Sequence, residues 1–302
     1  MVHIDRSPLE NNSLKPFLEC KDYTVSHKNF TILKDERSEL LVTSPRPELK
    51  DLNKYYESDQ YISHTDAKKS SMDKVYQLVK NFTIKQKVVL INSYKSDKKT
   101  ILDIGCGTGD FLAACKKNNW NVSGVEPNEN AREIAKQKIF KDCVNTSTIS
   151  LEEDLIKYLN EKKKFDVITL WHVLEHVPNL EEYISNLKNL LKPNGTIIIA
   201  VPNYKSYDAS YYGKFWAAYD VPRHLWHFSK RSIQLLFEKE IMEVVKMIPM
   251  KFDSYYVSLL SEKYKTNKTN FMKAVWVGFQ SNMKAKSTFE YSSLIYVIKN
   301  SK

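Results

Sequence analysis

The stretch TILDIGCGTGDFLAACKKNNWNVSGVE, residues 100–126, sets the fold of this chain. Its apolar start, residues 101–104, predicts a buried strand, and the residues from Asp110 onward predict an amphipathic helix. Between them, three of the seven glycines of the chain lie within five residues. Such a turn needs a backbone without side chains, either for positive φ angles or for the close approach of a ligand.

A second apolar strand, residues 121–125, follows this helix and ends at Glu126. An acidic side chain at this point of a β-α-β unit lies where it can accept hydrogen bonds from both hydroxyls of a ribose. The sequence therefore predicts a nucleoside-binding half of a doubly wound sheet.

The glycine spacing separates two kinds of nucleoside ligand. Loops that bind dinucleotides carry the pattern G-x-G-x-x-G, whereas Gly105, Gly107 and Gly109 follow G-x-G-x-G after Asp103. This spacing resembles motif I of the class I S-adenosylmethionine-dependent methyltransferases. A nicotinamide or flavin dinucleotide site is the main alternative, and a tight turn without any ligand is a weaker one.

The resemblance extends over residues 100–202. It rests on the segments ILDIGCGTGDFL, GVEP, FDVITLWHVLEHVPN and LLKPNGTIIIAVPN, which occur in the expected order. The chain is similar to a broad bacterial group that includes the ubiquinone-pathway O-methyltransferases. The resemblance implies S-adenosyl-L-methionine as cofactor and S-adenosyl-L-homocysteine as product.

The resemblance also implies which residues hold the cofactor. Asp103 and the loop Gly105, Cys106, Gly107 and Gly109 would line its methionine end. Glu126, followed by Pro127, would hold the ribose, and Trp171 and His172 would close the site below the sulfonium.

Alternating helices and apolar strands predict an α/β fold, a Rossmann-like parallel sheet with helices on both faces. Beyond the first two strands, further strands are expected at residues 143–148, 165–171, 196–202, 244–248 and 293–299. The resemblance implies seven strands, with the last one inserted antiparallel.

The predicted methyltransferase domain covers residues 96–302. Residues 1–95 form an N-terminal extension in this prediction, with short strands, a long helix and a possible role as a lid. A substrate insertion is expected at residues 203–228, and a tail excursion at residues 250–291 lies where it could cover the site.

Composition narrows the compartment and the partners. No apolar run reaches the ~18 residues needed to span a bilayer, and the N-terminal residues lack the apolar core of a signal peptide, so a cytoplasmic protein without a membrane span is expected. Four scattered cysteines suit unpaired thiols. The net charge of +10 comes mostly from lysine, with only six arginines among 46 basic residues, which argues against a nucleic-acid partner.

Three histidines lie where a catalytic base would be needed, because histidine titrates near neutrality. They are His172 after the fourth strand, and His224 and His227 in the insertion. Each could instead be a packing residue. Nine of the 26 residues at 203–228 are aromatic, which indicates either a pocket wall or a satellite core.

Residues 172–176, HVLEH, also match the H-x-x-E-H pattern of some zinc peptidases. That mechanism needs both histidines on one helical face, whereas this segment follows a strand directly and meets Pro178 two residues later. Some members of the resembling group carry paired cysteines that bind zinc, and here only Cys20 lies near the N-terminus. No metal is therefore expected.

The preferred interpretation is an enzyme that methylates a small, aromatic or apolar acceptor on oxygen. One alternative is a methyltransferase that acts on RNA or protein, which the lysines of the tail would support. Another is a non-catalytic protein that only binds S-adenosylmethionine. The sequence leaves the oligomeric state open.

Overall fold

The computed structural model describes residues 1–56, 71–94, 98–139 and 157–301. The chain begins with three antiparallel strands, β1 (Lys15–Lys21), β2 (Asn29–Lys34) and β3 (Leu41–Thr43). The described helices that follow are the short α1 (Leu49–Leu52) and the long α2 (Ser71–Asn92). A turn at residues 36–38 connects β2 to β3.

The next part alternates strands and helices, as predicted. Its elements are β4 (Thr100–Ile104), α3 (Asp110–Lys117), β5 (Asn121–Val125), α4 (Glu129–Ile139), β6 (Phe165–Trp171), α5 (Leu180–Leu190) and β7 (Leu191–Pro202). A 3-10 turn, Leu174–His176, follows β6. β7 begins earlier than predicted, because Leu191 already pairs with Phe165 of β6 ahead of a register shift.

The last third contains the insertion and the tail. It runs through α6 (Tyr207–Tyr212), β8 (Trp226–His227), α7 (Lys230–Glu238), β9 (Met242–Pro249), α8 (Asp253–Thr266), α9 (Phe271–Thr288) and β10 (Ser293–Asn300). β8 was not predicted. It pairs with β3, so the insertion completes a four-stranded sheet that the N-terminal strands begin.

The main sheet has the strand order β5-β4-β6-β7-β10-β9 among the described residues. β4 to β7 are parallel, and β10 lies antiparallel between β7 and β9, as the resemblance implied. The predicted strand at residues 143–148 lies outside the described residues, so six of the seven expected strands are seen. The α/β Rossmann-like fold is confirmed.

Two cores cover the two faces of this sheet, because successive strand residues point to opposite sides. Ile101 packs in one core with residues of α2, α3 and α4, whereas Leu102 packs in the other with residues of α5 and α7. Helices therefore lie on both faces. No helix in the described part of the chain combines the length and hydropathy needed to cross a bilayer.

Candidate functional site

The predicted cofactor residues meet at the carboxyl ends of three neighbouring strands. Asp103 on β4 lies beside Gly124 of β5 and Thr169 of β6 in the register of the sheet. The glycine loop follows β4, Glu126 follows β5, and Trp171 ends β6. This edge, where the strand order reverses between β4 and β6, is where open α/β sheets bind ligands.

Gly107 and Gly109 are needed in the loop for different physical reasons. Gly107 has φ +54°, and a Cβ built on it would meet no atom within 4 Å, so open space lies beside this backbone. Gly109 has φ +76°, and its Cβ would lie 2.9 Å from the Cβ of Ala135 on α4. Gly109 is therefore required by helix packing, whereas Gly107 leaves room for a ligand.

Glu126 is buried and ties the loop to the second strand. Its Oε2 accepts a 2.8 Å hydrogen bond from the Gly107 amide, and its Oε1 accepts a 2.9 Å bond from the Asn128 amide. Burial raises the pKa of Glu126, and the two amide bonds act in the opposite direction. Each carboxylate oxygen keeps a second lone pair, so the group can still accept ribose hydroxyls.

Asp103 is a buried carboxylate with one hydrogen-bond donor and one nearby cation. The hydroxyl of Thr169 donates a 2.6 Å bond to its Oδ1. Burial raises the pKa of Asp103 to about 7, although Thr169 and the charge of Lys87 both lower it. Such a carboxyl group changes its charge near neutral pH, and its ionised form can pair with a cationic group of a ligand.

Lys87 on α2 reaches the same place and was missed by the sequence analysis. Its Nζ lies 4.0 Å from the ring centroid of Trp171. Burial lowers the pKa of Lys87 to about 8, and the charges of Asp103 and Asp253 raise it. Helical spacing predicted α2, but nothing in the sequence shows which of its lysines faces the sheet edge.

Trp171 lies at the end of β6, the neighbour of the strand that leads into the glycine loop. Its ring meets Phe111 edge to face, with 5.5 Å between centroids. Its indole Nε1 is buried and has no hydrogen-bond acceptor among the described residues. A buried unpaired donor at a ligand edge fits a site that an acceptor atom completes when filled.

His172 is held between two carboxylates. Its Nδ1 lies 3.4 Å from Glu175 Oε1, and its Nε2 lies 3.2 Å from Asp253 Oδ2 at the start of α8. Burial alone would lower the pKa of His172, but the two carboxylates raise it to about 10. The ring is therefore an imidazolium with both N–H groups directed at carboxylates, an arrangement that does not favour His172 as a base.

A second polar cluster lies just beyond His172. Side-chain ligand atoms of Glu175, His176 and His224 all lie within 4.8 Å of one another. Glu175 is buried; its Oε1 lies 3.4 Å from His172 Nδ1, and its Oε2 accepts no hydrogen bond within the described part of the chain. Burial would raise the pKa of Glu175, but His172 and His224 outweigh it, so that pKa lies below its usual value.

The donor set of this cluster, one carboxylate and two imidazoles, would suit a divalent cation. The absence of metal stays a prediction. His172 and His176 do not share a helical face, since only a 3-10 turn carries this segment. The peptidase interpretation therefore has no helical support.

The two histidines beside Glu175 differ in their partners. His176 Nδ1 lies 2.9 Å from the Tyr56 hydroxyl and 3.1 Å from the Arg223 carbonyl oxygen. Burial, together with the nearby charge of His224, lowers the pKa of His176 to about 4. His224 Nδ1 lies 2.9 Å from the Ala218 carbonyl oxygen and must donate to it, which leaves Nε2 as the acceptor in the neutral ring.

His227 belongs to a different environment. Its Nε2 lies 3.1 Å from the hydroxyl of Thr43 on β3, and its ring packs against Tyr219. Burial lowers the pKa of His227 well below its usual value. The structure places His227 in the packing between the insertion and the N-terminal sheet, away from the glycine loop.

The aromatic insertion is mostly a satellite core. Tyr204, Tyr212, Trp216 and Tyr219 pack with Cys20, Phe30, Ile32 and Leu41 of the N-terminal strands. Trp226 and Phe228 are buried in the main core. Six of the nine aromatic residues are therefore buried, and the dense aromatic segment does not by itself indicate an aromatic ligand.

Cys106 and Pro127 support the loop. The Cys106 side chain occupies the space beside Gly124, where a Cβ would lie 2.9 Å from its sulfur. The Pro127 carbonyl oxygen accepts a 3.1 Å hydrogen bond from Arg132. Cys106 is part of the glycine loop and Pro127 follows Glu126, and both of these contacts are with protein atoms.

The fold and the edge site define a class: a Rossmann-like α/β domain with a candidate ligand site at the carboxyl ends of its parallel strands. A sequence profile described as "Methyltransferase domain" matches residues 79–245, more than half of the chain. The chain belongs to this family. It is a class I S-adenosylmethionine-dependent methyltransferase.

Similar proteins include the ubiquinone biosynthesis O-methyltransferases. That of Glaesserella parasuis is 32% identical over 137 residues, which cover 44% of this chain and 58% of the relative. That of Rickettsia prowazekii is 30% identical over 182 residues, which cover 59% of this chain and 71% of the relative. Similarity at this level shows the family.

Solved structures show the same fold. The magnesium protoporphyrin IX methyltransferase of Synechocystis PCC 6803, crystallised with bound S-adenosylhomocysteine, matches with a TM-score of 0.53 and 16% identity. The match covers 83% of this chain and all of that one.

Proposed function

We propose that this methyltransferase transfers the methyl group of S-adenosylmethionine to a hydroxyl of a small, aromatic or apolar acceptor. The observation that carries the proposal is the group of Glu175, His176 and His224 beside His172, in which Glu175 and His224 are buried. A hydroxyl acceptor must lose a proton on methylation, and a histidine beside a carboxylate can take it. The similar proteins named as O-methyltransferases of ubiquinone biosynthesis support oxygen as the methylated atom.

The cofactor would lie against the edge formed by the glycine loop. Gly107 offers open backbone, Glu126 offers free carboxylate lone pairs to a ribose, and Asp103 faces the methionine end in this proposal. S-adenosylmethionine supplies a methyl group activated by its positively charged sulfur. The protein contributes by holding the acceptor oxygen in line and by excluding water.

We assign the role of base to His224. Its Nδ1–H donates to the Ala218 carbonyl oxygen, so Nε2 carries the lone pair. When Nε2 takes the acceptor proton, the new imidazolium lies beside Glu175. The carboxylates of Glu175, which also faces His172, and of Asp220, whose Oδ2 lies 3.8 Å from Nε2, stabilise that charge because little water screens these groups.

The other two predicted histidines receive different roles. His172 acts as a positioning residue, since its ring links the end of β6 to the start of α8. His227 acts in packing, where Thr43 and Tyr219 hold it. Neither role requires proton transfer.

Two exposed aromatic residues near the candidate site support an apolar acceptor. Phe252 directly precedes Asp253, the partner of His172, and is 40% exposed. Its ring meets Phe82 of α2 edge to face, with 5.8 Å between centroids, and Phe82 is 48% exposed. Exposed aromatic rings at a site entrance favour an apolar ligand over a charged one.

The test is methyl transfer from labelled S-adenosylmethionine to matched acceptors. A catechol, the corresponding aromatic diamine and the corresponding benzoate differ only in the accepting group. We expect transfer to the catechol. Transfer to the diamine alone would contradict the oxygen assignment, and labelling of RNA or protein without any small acceptor would favour a macromolecular substrate.

The base is tested by His224→Asn beside His227→Asn. We expect His224→Asn to lower kcat roughly 10²- to 10⁴-fold while cofactor affinity stays the same. His227→Asn is the matched control, and we expect it to affect thermal stability more than turnover of the folded protein. Equal turnover in wild type and His224→Asn would exclude His224 as the base.

A further inference from the structure

The helix α9 has its bulky residues on the outside. The side that packs on α8 and on the insertion consists of small residues, Ala274, Val277, Gly278, Ser281 and Ala285. A Cβ on Gly278 would lie 2.8 Å from the ring of Tyr255 on α8, so the two helices pack closely. The inner face of α9 is therefore already satisfied without large side chains.

The outer face is apolar and exposed to solvent. Its residues recur at helical spacings, so they share one side of the helix. They are Met272, Val275, Trp276, Phe279 and Met283, with exposed fractions of 82%, 38%, 58%, 44% and 44%. A contiguous apolar stripe of this kind marks an interaction surface, since single exposed apolar residues are ordinary but a continuous row is not.

Lysines lie at both ends of this stripe. Lys268 is exposed in the segment that leads into α9, and Lys286 is exposed in its last turn. Residues 250–291 contain seven lysines and three acidic residues. All three acidic residues already have cationic partners: Asp253 pairs with His172, Glu262 with Lys273, and Glu290 with Lys230.

We propose that the outer face of α9, with the lysines at its ends, docks this protein on the surface of an anionic lipid bilayer. Tryptophan, phenylalanine and methionine between lysines suit the boundary of headgroups and acyl chains, where a helix lies in the plane of the membrane. Lysines near that surface gain from the negative lipid potential. A second copy of the chain would fit less well, because it would bring two lysine-rich faces together.

The stripe also connects to the candidate site through α8. α8 begins at Asp253, which contacts His172, and α9 packs along α8. Docking through α9 would therefore hold the entrance beside Phe82 and Phe252 near the lipid surface, from which an apolar acceptor could enter. This inference goes beyond the proposed function, and vesicle binding is measured without any methyl acceptor.

The experiment is sedimentation of the full chain with vesicles of phosphatidylcholine alone and of phosphatidylcholine and phosphatidylglycerol in equal parts. We expect binding to the anionic vesicles that weakens as salt rises. Of the five tryptophans, Trp276 is the most exposed. Its fluorescence emission should therefore shift to shorter wavelength when the protein binds vesicles. This shift should vanish in Trp276→Phe.

The variants separate the two parts of the surface. We expect Trp276→Glu with Phe279→Glu to lower vesicle affinity roughly tenfold or more. The pair Lys268→Ala and Lys286→Ala should weaken only the anionic binding, and as exposed lysines they can be changed without unfolding the chain. Ile241→Glu, at an apolar position that is 69% exposed between α7 and β9, is the matched control and should bind like wild type.

Three results would overturn the proposal. The first is no binding of wild type to anionic vesicles, and the second is equal binding to both vesicle compositions. The third is a dimer in sedimentation equilibrium that Trp276→Glu converts to monomer, which would assign the stripe to self-association. Circular dichroism and cofactor titration of each variant show that its fold is intact.

Discussion

The Nε2 of His172 lies 3.2 Å from Oδ2 of Asp253, and this contact joins the end of β6 to the first turn of α8. Glu175 flanks the other ring nitrogen at 3.4 Å. Two carboxylates around one imidazole raise its pKa to about 10 against the effect of burial. The tail excursion thus holds a charged residue at the edge where the cofactor residues meet.

Asp253→Asn tests this ion pair. The folded pKa of His172 lies above its unfolded value, so the pair stabilises the fold below about pH 6.5 and this contribution is lost as pH rises through about 10. Asp253→Asn removes one of the two carboxylates, so the pKa of His172 should fall. Imidazole nitrogen NMR across the alkaline range measures it, with the exposed Glu243→Gln as control. An unchanged titration in Asp253→Asn would show that the carboxylate has little influence on the ring.

Glu126→Gln tests the ribose contact. The amide keeps one oxygen for the loop but loses the charge and part of the acceptor capacity, so affinity for S-adenosylmethionine should fall roughly tenfold or more. Isothermal titration calorimetry measures the change. The exposed Glu129→Gln, three residues further on, should bind as wild type does. Equal affinity in Glu126→Gln would place the ribose elsewhere.

Most of the sheet and the glycine loop could be predicted because their causes are local. The loop needs positive φ angles at three glycines, and these glycines lie within five consecutive residues of the sequence. The antiparallel last strand came from the family resemblance and is confirmed by the pairing of β10 with β7 and β9. Glu126 could also be located from the sequence, because it directly follows the second strand.

The remaining contacts were not predicted because they join distant segments. Lys87 and Asp253 reach the edge from α2 and α8, two helices far apart in the sequence, and no local pattern shows their direction. The aromatic insertion was left as a pocket wall or a satellite core. The pairing of β8 with β3 shows that the insertion forms a satellite core. The sequence alone could not show this, because the burial of the insertion depends on a partner strand far away in the chain.

The two substitutions Gly107→Ala and Gly109→Ala should separate ligand binding from folding. At Gly107 a methyl group meets no protein atom, so the cost is the positive φ alone, about 1 kcal/mol. At Gly109 the methyl group also collides with Ala135 on α4, so we expect a larger loss of stability.

We therefore expect Gly107→Ala to lose cofactor affinity with only a small fall in Tm, and Gly109→Ala to show the larger fall in Tm. Differential scanning fluorimetry with and without S-adenosylhomocysteine measures both effects. Unchanged affinity in Gly107→Ala would mean that the open space beside this loop is not where the cofactor lies.

Asp103 and Lys87 should make cofactor binding depend on pH. The pKa of Asp103 is about 7 because of burial, and we expect its ionised form to attract the ammonium group of the methionine part. Affinity should therefore fall as pH drops below about 7, where the carboxylate gains a proton. Calorimetric titrations from about pH 6 to about pH 8 measure this dependence.

Lys87→Met shows whether the lysine sets that dependence. Its positive charge lowers the pKa of Asp103, so the midpoint of the affinity profile should move to higher pH when the charge is removed. Thr169→Val should move it in the same direction, because the hydroxyl stabilises the ionised carboxylate. Lys85→Met, an exposed lysine two positions earlier on α2, should leave the midpoint in place. A midpoint that stays near 7 in both Lys87→Met and Thr169→Val would mean that another group controls the charge at this edge.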